Sequence, residues 1–229
     1  MSKYKILDLF CGAGGCSMGY KLAGFDVVGV DKKPQPNYPF TFHQADALQF
    51  PLSGFDAIHA SPPCQHYTQL RKLGGANKVH PDLVAPIRAR LIASGKPFVI
   101  ENVLGAPLLN PVMLCGTMFN LRVIRHRLFE CHPFFVWPPA SCDHSGELYT
   151  VLTKSCRVSG DMRGKSSHAT GKAAMKIDWM TQFELGESIP PAFTKYIGEE
   201  LIAFLNMEAE PTSHNTGSTQ AGVPASAHA

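Results

Sequence analysis

Short apolar runs alternate with segments of helical spacing through the first hundred residues, and that rhythm predicts the fold class. Residues 4–10 (YKILDLF) predict a first buried strand, and residues 17–23 the helix after a glycine turn. Residues 26–30 (DVVGV) predict a second strand, and the apolar run 55–60 a third. Residues 82–94 open on an acid at an N-cap position, carry apolar spacing and stop at Gly95, so they predict a helix. Lys96-Pro97 then leads into a fourth strand at 98–101. Strands alternating with helices imply an α/β fold, a mostly parallel sheet covered on both faces.

The character changes after about Phe129. Residues 132–174 are rich in Pro, Gly, Ser and His with weak periodicity, which predicts a small loop-rich insert. Residues 177–185 and 194–205 read as closing helices separated by the turn Ile189-Pro190-Pro191. From Met207 onward there are no aromatics and one aliphatic β-branched residue, Val223, so a disordered tail is expected. The organisation is then a main domain of residues 1–130 and 177–206, an insert of 131–176 and a tail of 207–229.

Composition narrows this only a little. A chain of 229 residues, 45% hydrophobic and 17% charged, can bury one sizeable core. A net charge of +3 is too weak to announce a nucleic-acid partner. Its distribution says more: residues 122–176 hold nine Lys/Arg against four acids, which suits a phosphate backbone or a solvated basic face. Seven cysteines follow no framework spacing, and no secretory signal or membrane-length apolar run precedes the first strand. A reducing cytoplasmic setting is expected, with Cys64 a free thiol.

Candidate chemistry begins at Ser61-Pro62-Pro63-Cys64-Gln65, directly after the third predicted strand. Two prolines fix two φ angles and remove two backbone donors, so the thiol is aimed. Open α/β sheets keep their chemistry outside strand ends of this kind. A buried structural cysteine accounts for the motif equally well when it is taken alone. The segment Asp8-Leu9-Phe10-Cys11-Gly12-Ala13-Gly14-Gly15 sets glycines after the first strand, where backbone can approach a ligand. The dinucleotide spacing G-x-G-x-x-G fails, because Ser17 stands at the third glycine. Asp31 ends the second strand, where an acid can grip ribose hydroxyls. Asp46 could accept from an adenine amino group, although alone it reads as a capping acid. Glu101 and Asn102 end an apolar strand, where an acid seldom sits without a partner or a task. Arg125-His126-Arg127 points both arginines one way if it is extended.

Together these motifs resemble the DNA cytosine-5 methyltransferases, and a compact, phage-like member of that family. The DLFCGAGG loop, Asp31, the SPPCQ loop, the Glu101-Asn102-Val103 triplet and the Arg-x-Arg pair occur in the family's order. Residues 189–198 look like its closing motif, and the resemblance covers roughly residues 4–205. It implies a Rossmann-like, S-adenosylmethionine-dependent methyltransferase fold whose small insert is a reduced target-recognition region. It also implies S-adenosyl-L-methionine as cofactor, double-stranded DNA as partner, no membrane association and a monomer in a bacterial or phage-infected cell.

The resemblance assigns roles residue by residue. Cys64 would add to carbon 6 of a flipped cytosine, making carbon 5 nucleophilic enough to take a methyl group. Glu101 would hydrogen-bond ring nitrogen 3 and the exocyclic amine, while Arg125 and Arg127 would neutralise the carbonyl oxygen. Asp8, Phe10, Cys11, Gly12, Ala13, Gly14, Gly15, Asp31, Asp46 and Pro62 would line the cofactor site. Ser61, Gln65 and Asn102 would meet the target base, and residues 65–79 would close over it. Alternatives are transfer of a modified one-carbon or carboxymethyl group, action on RNA, an inactive DNA-binding homologue or, more distantly, a nicotinamide oxidoreductase. Cys131-His132, Cys142-Asp143-His144 and Cys156 could staple the insert through zinc, but no C-x-x-C pair is present and no metal is assigned.

Overall fold

A computed structural model describes residues 3–67, 81–152, 155–158 and 165–210. The expected closing loop falls largely on residues 68–80 and the expected tail on 211–229, outside the described residues. The main sheet has seven strands: β1 (Lys5–Leu9), β2 (Asp26–Asp31), β3 (Thr41–Gln44), β4 (Ala57–Ala60), β5 (Phe98–Asn102), β6 (Val112–Leu114) and β7 (Arg127–His132). Their spatial order is β3-β2-β1-β4-β5-β7-β6. The first five run parallel, and β7 pairs antiparallel with both β5 and β6.

The order reverses between β1 and β4, which places a crevice at their carboxyl ends. Central strands covered on both faces need near-continuous apolar sequence, and β1, β4 and β5 are buried along almost their whole length. One core lies under α1 (Gly15–Ala23) and α5 (Pro191–Ala209), where Tyr20, Phe25, Phe193, Ile197 and Leu201 are fully buried. Each such side chain contributes about 1.5–3 kcal/mol of hydrophobic stabilisation. The opposite core lies under α2 (Val84–Ala93), through Val84, Ile87 and Leu91.

Helix limits follow local chemistry. Gly24 ends α1 with φ 115, a left-handed cap suited to glycine. Pro191 opens α5 at a position where its missing donor costs nothing. The helix runs on to Ala209, three residues beyond the expected end of the main domain. The predicted helix at 177–185 is instead α4 (Gln182–Glu187), started by a reciprocal capping box between Thr181 and Glu184.

The insert is more ordered than its composition suggests. It contains β8 (Tyr149–Val151), β9 (Cys156–Val158), β10 (Lys165–Ser166) and α3 (His168–Met175). The three strands form a separate antiparallel sheet. Val123, Val151, Cys156, Met175, Ile177 and Leu185 give this region its own core. No described helix is long and apolar enough to cross a membrane.

Candidate active site

Four segments meet outside the carboxyl ends of β1, β2, β4 and β5. The glycine loop leaves β1 through three left-handed residues, Phe10 (φ 60), Gly12 (φ 50) and Gly14 (φ 87). A Cβ at Gly12 would meet nothing within 4 Å, whereas one at Gly15 would strike the Ile189 carbonyl oxygen. Gly12 therefore faces open space, while Gly15 lets the turn before α5 press directly on α1. Thr194 Oγ1 donates to the Cys16 carbonyl at 2.8 Å, and Trp179 Nε1 donates to the Ala13 carbonyl at 2.8 Å. The loop is thus held from behind by the last third of the chain.

Asp31 closes the same corner. Its carboxylate accepts from the Gly12 amide at 3.1 Å and from the Lys33 amide at 2.9 Å, yet it stays partly exposed. Asp46 accepts from the Leu48 amide at 2.9 Å, so it caps a turn and keeps lone pairs for a ligand. Asp8 differs from expectation. It is fully buried beneath the loop, where Ser17 donates to it and Ser17 in turn meets the Tyr38 hydroxyl at 2.7 Å. Burial lifts its carboxyl to about 7, with Asp31 and Glu101 adding to the rise and the Ser17 bond opposing it. Enclosed in this way, Asp8 shapes the loop from beneath. Cys11, Ala13, Gly14, Gly15 and Pro62 are likewise buried, which leaves Phe10, Gly12, Asp31 and Asp46 as the accessible members of the expected cofactor set.

The second loop leaves β4 as Ser61-Pro62-Pro63, and Cys64 begins a 3-10 turn at Cys64–His66. The Cys64 thiol is half-buried. Burial raises its pKa, Arg127 pulls it down, and Glu101 and Glu187 push it up. A cation is thus at hand for the thiol, but desolvation and two acids outweigh it. Gln65 is exposed beside it.

Glu101, at the end of β5, is 6% exposed and lies 3.1 Å from Arg127 Nε, the pair spanning neighbouring strands. Burial raises its pKa while Arg127, a Ser61 hydrogen bond and Arg125 draw it down. Arg125 does not pair with Glu101. Its guanidinium donates to the Val151 carbonyl at 3.1 Å and to the Gly186 carbonyl at 2.6 Å, tying the insert and α4 to the sheet. Burial and Arg127 lower its pKa to about 9. Asn102 is held by contacts within the protein. Its amide donates to the Pro62 carbonyl at 2.9 Å and accepts from the Val103 amide at 2.9 Å, so it braces the Cys64 loop.

The match to known proteins follows this geometry. Residues 4–110 match the model of the C-5 cytosine-specific DNA methylases. Over 115 residues the chain is 29% identical to the Type II methyltransferase M.DdeI of Desulfomicrobium norvegicum, covering 44% of this chain and 28% of the relative. Over 139 residues it is 30% identical to M.AplI of Arthrospira platensis, covering 56% of this chain and 39% of the relative. The match thus spans about a third of the length of these relatives. A prophage-encoded E. coli structure, described as a candidate DNA modification methyltransferase, superposes with a TM-score of 0.62 at 15% identity. That superposition covers 89% of this chain and all of the other, and it supports the fold.

Around this crevice the structure adds residues that the sequence motifs do not include. His59 is fully buried, with Nδ1 2.9 Å from the Tyr20 hydroxyl and Nε2 2.8 Å from Ser61 Oγ. Burial lowers its pKa to about 3, so it is neutral and orients Ser61. Tyr38 fills the space beside Gly14 and Gly29, a position readable only once β2 and the loop are placed together. Glu187, after Leu185, brings a further acid to the site, its pKa raised by burial and by Asp31 and lowered by Lys33 and Arg125.

Proposed function

We propose that this protein transfers a methyl group from S-adenosylmethionine to carbon 5 of cytosine in double-stranded DNA. One observation carries the reading: a partly exposed thiol shares a strand-end crevice with a buried Glu–Arg pair and an open glycine corner.

The residues fit the cofactor. Gly12 offers unobstructed backbone, Asp31 keeps acceptor capacity for ribose hydroxyls, and Asp46 does so for an amino group. Bound there, S-adenosylmethionine supplies an electrophilic methyl beside a positively charged sulfur. Arg127, the cation beside Cys64, would favour its thiolate against the desolvation that raises its pKa.

Cys64 Sγ then bonds to carbon 6 of the extruded base, and the displaced ring electrons make carbon 5 nucleophilic. Glu101, whose pKa burial raises, would hydrogen-bond ring nitrogen 3 as negative charge builds there. Arg127 fixes Glu101 and lends positive charge to the same region, while Arg125 anchors the segment from behind. Once carbon 5 carries the methyl group, a water would take the proton that carbon 5 loses as the sulfur–carbon bond breaks, returning Cys64 as thiolate and an aromatic product. Asn102 and His59 keep the Ser61–Cys64 loop in register throughout.

The insert supplies the basic surface facing DNA in this reading, and its small size suits a short or degenerate target. All seven cysteines are unpaired thiols, which accords with a reducing, DNA-bearing compartment. The test is nucleoside analysis of duplex DNA incubated with the protein and labelled S-adenosylmethionine. 5-Methyldeoxycytidine is the expected product. Label in another nucleoside, or in RNA alone, contradicts the assignment.

A further inference from the structure

Four side chains outside the Cys64 cluster converge beside the Arg-x-Arg segment. Cys115, His126, Cys142 and His144 each present one ligand atom, and these atoms all lie within 4.8 Å of one another. The ladder explains how two of them meet. In the β6–β7 hairpin Leu114 pairs with Arg127, so Cys115 and His126 sit opposite each other one rung further on. Cys142 and His144 arrive as Cys-x-His on the loop before β8.

The separations suit one small ion. Cys115 Sγ is 3.4 Å from His144 Nε2, and Cys142 Sγ is 3.9 Å from His126 Nε2. Zn–S bonds of about 2.3 Å and Zn–N bonds of about 2.05 Å give a tetrahedral S–N edge of about 3.6 Å. The two distances bracket that value. The imidazoles meet edge to face with centroids 5.0 Å apart, leaving their Nε2 atoms turned toward the two sulfurs.

We propose that these four residues form a structural zinc site. Two thiols and two imidazoles select a borderline-soft ion over magnesium or calcium, which prefer oxygen. Four protein ligands complete the tetrahedron, so the ion holds structure and leaves no position for substrate. On binding, the two thiols release their protons to solvent, and each imidazole binds through one nitrogen while the other keeps its proton. The ion ties the Cys-x-His loop to the β6–β7 hairpin. It also clamps His126, which lies between Arg125, anchored to the insert, and Arg127, paired with Glu101. A region of weak sequence periodicity thereby gains a fixed point next to the site.

The test is metal content by plasma mass spectrometry of the full chain, expressed with zinc and passed through chelator. One zinc per chain is expected, and it should fall close to zero in the double variant Cys142→Ser/His144→Ala. Cys131→Ser, a thiol outside the cluster, should keep its zinc. Cobalt(II) added to metal-stripped wild type should give the intense visible bands of a tetrahedral thiolate site, and the double variant should give none. Cys142 and His144 lie on an exposed loop, and circular dichroism of the double variant checks that it folds. Zinc-free wild type, unchanged zinc in the double variant, a weak octahedral cobalt spectrum or a Cys115–Cys142 disulfide would each overturn the proposal.

Discussion

Arg127 Nε stands 3.1 Å from Glu101 Oε1, joining the end of β5 to the start of the antiparallel strand beside it. The pair does two opposed things to the carboxyl. Burial raises its pKa and the guanidinium lowers it, and burial is the larger effect. A pair this withdrawn from water adds little net stability, because desolvation offsets attraction. What the pair does is hold the Glu101 carboxyl in one orientation at the end of β5.

Replacing Glu101 with Gln keeps the shape and removes the titrating group. Methyl transfer should fall by roughly 10²–10³-fold, the scale for losing one preorganised electrostatic contact. The melting temperature should change by no more than about 3 °C, since a neutral amide costs less to bury than a carboxylate. Turnover near wild type would show that the carboxyl serves the fold alone.

Asp8 predicts a pH dependence of stability. It ionises at 3.8 as a free side chain and at about 7 in the fold, so the folded state binds the proton more tightly. The stabilisation is complete below pH 3.8 and disappears as pH rises through about 7. Between pH 5 and pH 8 the wild type should lose about 2–3 kcal/mol more than Asp8→Asn, measured by urea denaturation. Parallel stability curves for the two proteins would contradict the buried, protonated state of Asp8.

Much of this was legible in the chain. Near-continuous apolar runs marked β1, β2, β4 and β5, because strands covered on both faces have no polar alternation to disguise them. The four residues of β3 include polar His43 and Gln44 at a solvated edge, and they carry too little pattern to separate strand from loop. The motifs named Cys64, Glu101, Arg127 and Asp31 as candidates, and the structure sets them near strand ends that the sequence marks. They could not distinguish a side chain that faces the crevice from one that braces it. Asp8, Asn102 and Arg125 brace, through contacts with Ser17, Pro62 and Gly186 that topology alone creates. The four residues of the proposed zinc site were split for the same reason: Cys115 and His126 lie outside the insert that drew attention to Cys142 and His144.

Asn102→Ala should separate bracing from binding. It leaves the Pro62 carbonyl without its donor, a loss of about 1–3 kcal/mol in a buried setting, and loosens the loop bearing Cys64. Turnover should fall about 10- to 100-fold, the scale of a small misplacement of a reacting group, while cofactor affinity by calorimetry stays within about twofold. Loss of cofactor affinity instead would mean that Asn102 acts at the other pocket.

Gly19→Ala tests the contact between α1 and α5. Its added methyl would meet Thr194 Oγ1 and the Pro191 carbonyl, and backbone there cannot give way cheaply. A destabilisation of about 1–3 kcal/mol is expected in thermal or urea unfolding. An unchanged midpoint would show that the two helices sit further apart than described.

The most direct measurement of the proposed activity is trapping of the protein on duplex DNA in which cytosine carries fluorine at carbon 5. With S-adenosylmethionine present, fluorine replaces the proton that must leave, so the sulfur–carbon bond cannot break and the complex survives denaturation. Peptide mass spectrometry should place the adduct on Cys64, and Cys64→Ser should form none while keeping its fold. An adduct on a different residue, or methylation proceeding in Cys64→Ser, would contradict the account.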